Sequence, residues 1–247
     1  MIIVCIPAFD EASTIGLVLW RLRRAFETNP REYEVIVLDD GSTGATADTL
    51  APYARVMPLT VIRNAERRGY PAALDALLRA AAQRTRYPRR DAVILMQADL
   101  TDDPDDLPTL LRPFDGGADL VVAERGAAAD AAAPTAVRRL RRVAPWLLRR
   151  FGRVAGVRDP LGTLRLVRVG VVRDVLKEAG ERPLATAPGW AANAELLAAL
   201  APFARRVETV TIEPRYALRP RASRVRAWQG AVELFRFART HRAPGAA

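Results

Sequence analysis

The chain has 247 residues, half of them apolar, and 38 basic against 28 acidic side chains give a formal charge of +10. That length and apolar content suit one large α/β domain with a buried core. Cys5, the only cysteine, excludes an internal disulfide and a cysteine zinc cluster, and no apolar stretch reaches the roughly 18–20 residues of a membrane span.

In chain order, Met1–Phe9 reads as a buried strand. It lacks the basic leader of a signal peptide and ends in acids, so a reduced, cytosolic setting is expected. Glu11–Glu27 reads as a helix, with Ile15, Val18, Leu19, Leu22 and Phe26 at helical spacing. Tyr33–Leu38 is a second strand, Thr46–Tyr53 a short helix and Val56–Arg63 a third strand. Pro71 suits a first helical turn, so Pro71–Gln83 is a helix. Asp91–Met96 and Asp119–Ala123 are the fourth and fifth strands.

Beyond residue 126 the pattern changes. Gly126–Ala133 is small and expected to be mobile, and Thr135–Arg153 is rich in arginine. Leu164–Val167 and Val207–Ile212 read as strands, Val169–Ala179 and Trp190–Leu200 as helices. A basic amphipathic helix from Arg224 to Arg239 precedes a frayed tail, residues 243–247.

Strands alternating with helices predict a mainly parallel sheet, in which ligands bind beyond the carboxyl ends of the strands. The polar clusters fall there: Asp10 and Glu11, Asp39 and Asp40, Asn64, Gln97 and Asp99, Glu124 and Arg125. Met96–Pro108 holds five aspartates. Asp102, Asp103, Asp105 and Asp106 fit the start of a helix, with Asp102 as cap and Pro104 near the first helical position. Asp99 lies before that turn.

These residues resemble family 2 glycosyltransferases of the GT-A fold, and among them the polyprenyl-phosphate sugar synthases similar to dolichol-phosphate mannose synthase. The stretch from Ile6 to Glu11 (IPAFDE) is similar to the family's PAYNE motif, and Asp39–Thr43 (DDGST) to its DDGS motif. Asn64 with Gly69, Ala72 and Ala73 resembles the N-x-G-K-x-A-A segment. Gln97-Ala98-Asp99 stands where the family has D-A-D; Asp159–Arg168, Gly189-Trp190 with Glu195, and Arg219–Arg224 resemble later segments. The resemblance implies a Rossmann-like, mixed and mainly parallel sheet flanked by helices. It implies one domain over residues 1–242, with a nucleotide-sugar half (1–126) and an acceptor, membrane-facing half (127–242).

The resemblance also implies the chemistry: inverting transfer of a sugar from a nucleoside-diphosphate sugar, aided by Mg²⁺ or Mn²⁺. Asp99 would ligate the cation, which stabilises the departing diphosphate, with Gln97 and Ala98 beside it. Gln97 hydrogen-bonds but brings no charge where the family has an acid, so a binding homologue without turnover is an alternative. Asp40 would accept from the base and Asp39 support the ribose or its loop; Pro7, Ala8, Glu11 and Asn64 would shape the pocket, with Glu11 equally a first-turn helix acid. Arg219, Ser223 and Arg224 would fold over the diphosphate, and Arg125 would bound the acceptor loop.

A polyprenyl phosphate is ionised near neutral pH and needs no general base. A hydroxyl acceptor, on a natural product or glycan, needs a carboxylate, for which Glu195 is the candidate; Asn193 is the alternative occupant of the family's acidic position. The stretch Val137–Arg153 holds seven arginines with Trp146 and Phe151, and Val225–Arg242 adds Trp228, Phe235 and Phe237. Both fit either an anionic membrane surface or aromatic faces packed on the core. Lys177 is the only lysine, so the basic balance is an arginine bias and carries no argument for nucleic acid. Peripheral attachment to the cytosolic membrane face is expected.

Overall fold

A computed structural model of the protein describes residues 1–126 and 157–213. A 7-stranded sheet runs through them in the order β3-β2-β1-β4-β6-β5-β7. The strands are β1 (Ile2–Ala8), β2 (Tyr33–Asp39), β3 (Leu59–Arg63), β4 (Ala92–Leu95), β5 (Leu120–Arg125), β6 (Arg165–Arg168) and β7 (Val207–Ile212). The helices are α1 (Ile15–Thr28), α2 (Thr46–Leu50), α3 (Tyr70–Arg84), α4 (Leu107–Asp115), α5 (Val169–Ala179) and α6 (Ala191–Leu200). The mixed, mainly parallel sheet expected from the alternating pattern is thus present: β6 runs against β4 and β5, and the other pairings are parallel.

The strand β1 shows why both faces are covered. Successive side chains point to opposite faces, and β1 is apolar on both. Ile2, Val4 and Ile6 join the core with Ile15, Val18 and Leu22 of α1 and Leu110 and Phe114 of α4. Ile3 and Cys5 join the other core with Leu74 and Leu77 of α3, Val172 of α5 and Leu196 of α6.

Two boundaries differ from expectation for a local reason. The first helix starts at Ile15, not Glu11, because Asp10 takes φ 54° and its amide donates to Ser42 Oγ at 2.9 Å. The chain bends there to meet the next strand end. The third strand starts at Leu59 because the turn Tyr53–Arg55 captures the amides of Val56 and Met57. The sequence segments Val137–Arg153 and Val225–Arg242 lie outside the described residues.

The chain passes β1 to β2 to β3 on one side of the sheet and reaches β4 on the other. This reversal beside β1 opens the crevice in which α/β proteins bind ligands. Reversed β6 delivers its entry loop, Asp159–Leu164, to that same end, because Arg165 pairs with Leu95 at the end of β4.

Candidate active site

The first cluster sits where β1 and β2 end. Ala8 pairs with Asp39, and the Ala8 carbonyl accepts from the Asp40 amide at 2.9 Å. Asp40 is buried; one of its oxygens accepts from Asn64 Nδ2 (2.8 Å) and the Arg68 amide (2.9 Å), the other from the Gly69 amide (2.7 Å). Charge-assisted bonds of this kind are the stronger class. Asp40 thus holds the loop Asn64–Gly69. The atom left over belongs to Asp39. Its side chain is fully buried, Oδ1 accepts from the Ser42 amide, and Oδ2 has no hydrogen-bond partner. The exposed Arg63 Nε stands 3.5 Å from that oxygen.

Gly41 makes this packing possible. It takes φ 72°, and a Cβ there would lie 2.7 Å from the Arg67 amide nitrogen. The Arg67 guanidinium lies 4.0 Å above the Phe9 ring. Pro7 pairs with Leu38 beside this cluster. Glu11 accepts from Thr14 Oγ1 at 3.0 Å, a contact that fastens the turn before α1.

The second cluster is the end of β4. Asp99 Oδ1 accepts from the Thr101 amide at 3.0 Å, and Leu100 between them takes φ 64°. A leucine in the left-handed region is strained, a feature common at ligand sites. Ala98 is buried beneath this turn. Asp102 does not cap the following helix as expected: its Oδ2 accepts from the Gln97 amide at 2.9 Å. The cap is Asp103, which accepts from the Asp105 amide and pairs with Arg21 at 3.0 Å. Burial pushes the Asp102 carboxyl up to about 6, while Arg125, at the end of β5, pulls it down.

The third cluster joins β6 to α6. Gln97 Nε2 donates to Thr163 Oγ1 at 2.5 Å. Asn193 Nδ2 donates to the Leu161 carbonyl (3.0 Å) and to Thr163 Oγ1 (3.3 Å), and Tyr70 donates to Asn193 Oδ1 at 2.8 Å. Arg165 is fully buried and donates to the carbonyls of Asn193, Pro160 and Gly162. Desolvation lowers its guanidinium to about 10, so it stays charged at neutral pH.

Glu195 faces its own loop. Its oxygens accept from the amides of Thr186 and Ala187, each at 2.7 Å, and from Thr186 Oγ1 at 3.1 Å. A carboxylate bound this way pins the loop before α6. The geometry thus brings together Asp39, Asp40 and Asn64, sets Gln97 and Asp99 past the end of β4 and Arg125 at the end of β5, and turns Glu195 to the loop before α6. Arg219, Ser223 and Arg224 lie outside the described residues.

Sequence reasoning missed Tyr70, Thr163 and Arg165 as members of the site. Tyr70 and Thr163 are 93 positions apart (163 − 70) and meet only through the reversed strand. A signal was available for Arg165: an arginine within the apolar run from Leu164 to Val167 must find carbonyl partners if buried.

Comparison with known proteins agrees with this architecture. The model of "Glycosyl transferase family 2" matches residues 3–176. The bactoprenol glucosyl transferase of Shigella phage SfV is 28% identical over 176 residues, which are 69% of this chain and 52% of that protein. The dodecaprenyl-phosphate galacturonate synthase of Rhizobium johnstonii is likewise 28% identical over 176 residues, 69% of this chain and 48% of that protein. The chain thus spans about half the length of the curated relatives it matches. Among solved structures, the glucosyl-3-phosphoglycerate synthase of Mycobacterium tuberculosis, crystallised with Mn²⁺, UDP and glucosyl-3-phosphoglycerate, superposes with a TM-score of 0.61 at 20% identity. That match covers 99% of this chain and 82% of the other, and shows the shared GT-A fold. With the family model spanning most of the chain and the strand-end motifs gathered on one crest, the protein belongs to glycosyl transferase family 2.

Proposed function

We propose that the protein transfers a sugar from a nucleoside-diphosphate sugar to a polyprenyl phosphate. The observation that carries this reading is the pair of strand-end carboxylates with divided labour. Asp39 keeps one buried oxygen without a hydrogen bond, with the exposed Arg63 Nε 3.5 Å away; a base that displaced the side chains covering it would supply a single ring N–H to an acceptor that is costly to leave without a donor. Asp99 stands at the end of β4, on the other side of β1, with its carboxylate oriented by the Thr101 amide. A nucleotide laid across the crevice would meet Asp39 with its base and Asp99 with its diphosphate.

A divalent cation fits this arrangement in one way. No group of three or more His, Cys, Asp or Glu gathers among the described residues, so the protein would not enclose a cation by itself. Mg²⁺ and Mn²⁺ take oxygen ligands and are often held by one or two carboxylates together with substrate phosphates and water. Asp99 supplies such a ligand, and the bound cation would neutralise the departing diphosphate. The relatives' names point to polyprenyl carriers as acceptors in those proteins.

The engagement of Glu195 by its own loop supports a phosphate acceptor over a hydroxyl. An ionised phosphate oxygen attacks the anomeric carbon, the bond from that carbon to the diphosphate oxygen breaks, and the diphosphate leaves with the electron pair. No proton has to be removed. The direct test is transfer of labelled sugar from a panel of nucleotide sugars to undecaprenyl phosphate in detergent with Mn²⁺. Wild type should form the lipid-linked sugar and Asp99→Ala should lose at least a hundredfold in rate. Equal rates for the two proteins, or transfer only to hydroxyl acceptors, would overturn the reading.

A further inference from the structure

Asn193 is a junction between elements, and one contact sets its polarity. The Leu161 carbonyl can only accept, so the 3.0 Å hydrogen bond between them fixes the amide with Nδ2 toward Leu161. The other Nδ2 proton goes to Thr163 Oγ1 at 3.3 Å. Oδ1 therefore faces Tyr70, and the phenol donates to it at 2.8 Å. Both protons of Nδ2 and the Oδ1 atom are thus engaged. The backbone of the same residue is held as well. Its amide donates to the Trp190 carbonyl at 3.0 Å, and its carbonyl accepts from Arg165 Nη1 at 2.8 Å. Asn193 is 1% exposed, so each of these bonds is costly to leave unmade. Gln97 Nε2 reaches the same Thr163 from beyond β4. The end of β4, the loop into β6, α3 and α6 are thereby joined around one amide.

The Tyr70 bond reaches furthest. Tyr70 opens α3, and the residue before it, Gly69, donates its amide to Asp40 Oδ2 at 2.7 Å. One residue's step therefore separates the loop that Asp40 holds at the end of β2 from a side chain bonded to the first turn of α6, 123 positions away. We propose that Tyr70 and Asn193 are positioning residues: their hydrogen bond ties the first turn of α6 to the loop that Asp40 fixes, and so sets the acceptor side in register with the donor side. The role rests on the transferase reading above, in which the strand ends receive the donor and the chain beyond residue 126 the acceptor. Neither residue has to touch the sugar. A neutral phenol–amide pair suits the task, because it is directional and avoids the desolvation cost of a buried ion pair. Burial pushes the Tyr70 phenol up to about 12, so its proton is in place at neutral pH.

The test is a double-mutant cycle of Tyr70→Phe, which removes only the hydroxyl, and Asn193→Ala. It is read by sugar transfer to undecaprenyl phosphate and by urea denaturation. Tyr70→Phe should lower kcat about fivefold or more while KM for the nucleotide sugar changes less than about threefold, because Asp39 and Asp99 are untouched. The double variant should be no more than about twofold slower than Asn193→Ala, since the second change removes a bond already lost. Val172→Ala trims the same core without touching the junction, and its kcat should stay within about twofold of wild type. That control separates positioning from a general loss of stability. If Asn193→Ala does not fold, Tyr70→Phe decides by its split between kcat and KM, since it keeps the packing of the ring. Wild-type kcat in Tyr70→Phe, or losses that add in the double variant by both readouts, would overturn the proposal. A wild type that transfers no sugar from any donor would overturn the transferase reading and with it the role in turnover, while the denaturation cycle would still decide whether the two residues are coupled.

Discussion

Among single residues, the adjacent aspartates Asp39 and Asp40 hold different jobs because one residue's step along the chain turns the side chain to a different environment. Asp40 accepts three N–H groups from the loop Asn64–Gly69. Asp40→Ala leaves all three without their acceptor and should cost about 3 kcal/mol by urea denaturation. Asp39→Asn should leave the fold largely intact yet weaken UDP binding at least tenfold by calorimetry, since its Oδ2 is the atom without a hydrogen bond. Asp102 provides a pH signature. Its folded value, raised to about 6 mainly by burial, lies above the ordinary 3.8. Between these values the folded state binds more protons than the unfolded state, so this group's contribution to stability falls as pH rises through that window. Asp102→Asn keeps an acceptor for the Gln97 amide and removes the buried charge. Its melting temperature should exceed that of wild type at pH 8, and the gap should close as pH approaches 4.

The elements matter through their ends. The centre of the sheet is apolar, and its function lies in what each strand presents at and beyond its end. Asp10, Gly41 and Leu100 are among the places where the backbone leaves ordinary geometry to do so. Gly41→Ala would place a Cβ 2.8 Å from the Glu66 carbonyl carbon, at a φ that alanine disfavours. It should lower stability by about 1–3 kcal/mol, and UDP affinity with it, because the loop that Asp40 holds would be displaced. The reversed strand β6 is the other such element. One antiparallel strand brings Asp159–Leu164 to the ligand end, and with it carbonyls that accept from Arg165 inside the core.

For the whole molecule, no helix among the described residues is long and apolar enough to cross a membrane. The seven arginines of the sequence stretch Val137–Arg153 carry the prediction at this scale, attachment to an anionic membrane surface. Liposomes containing anionic lipid should float the wild-type protein, and changing Arg138, Arg139, Arg141 and Arg142 together to glutamine should reduce flotation severalfold, each basic group being worth roughly 1 kcal/mol near such a surface. The sequence by itself determined the alternation of strands and helices, the apolar faces of β1 and α1, and the polar residues at successive strand ends. These follow from periodicity and local chemistry, which neighbours along the chain carry. It did not determine which oxygen of Asp39 remains without a hydrogen bond, that Glu195 turns to its own loop, or that Gln97 reaches Thr163. Those are questions of which donors meet which acceptors in three dimensions. Only the folding of β6 between β4 and β5 put the partners of Gln97 within its reach.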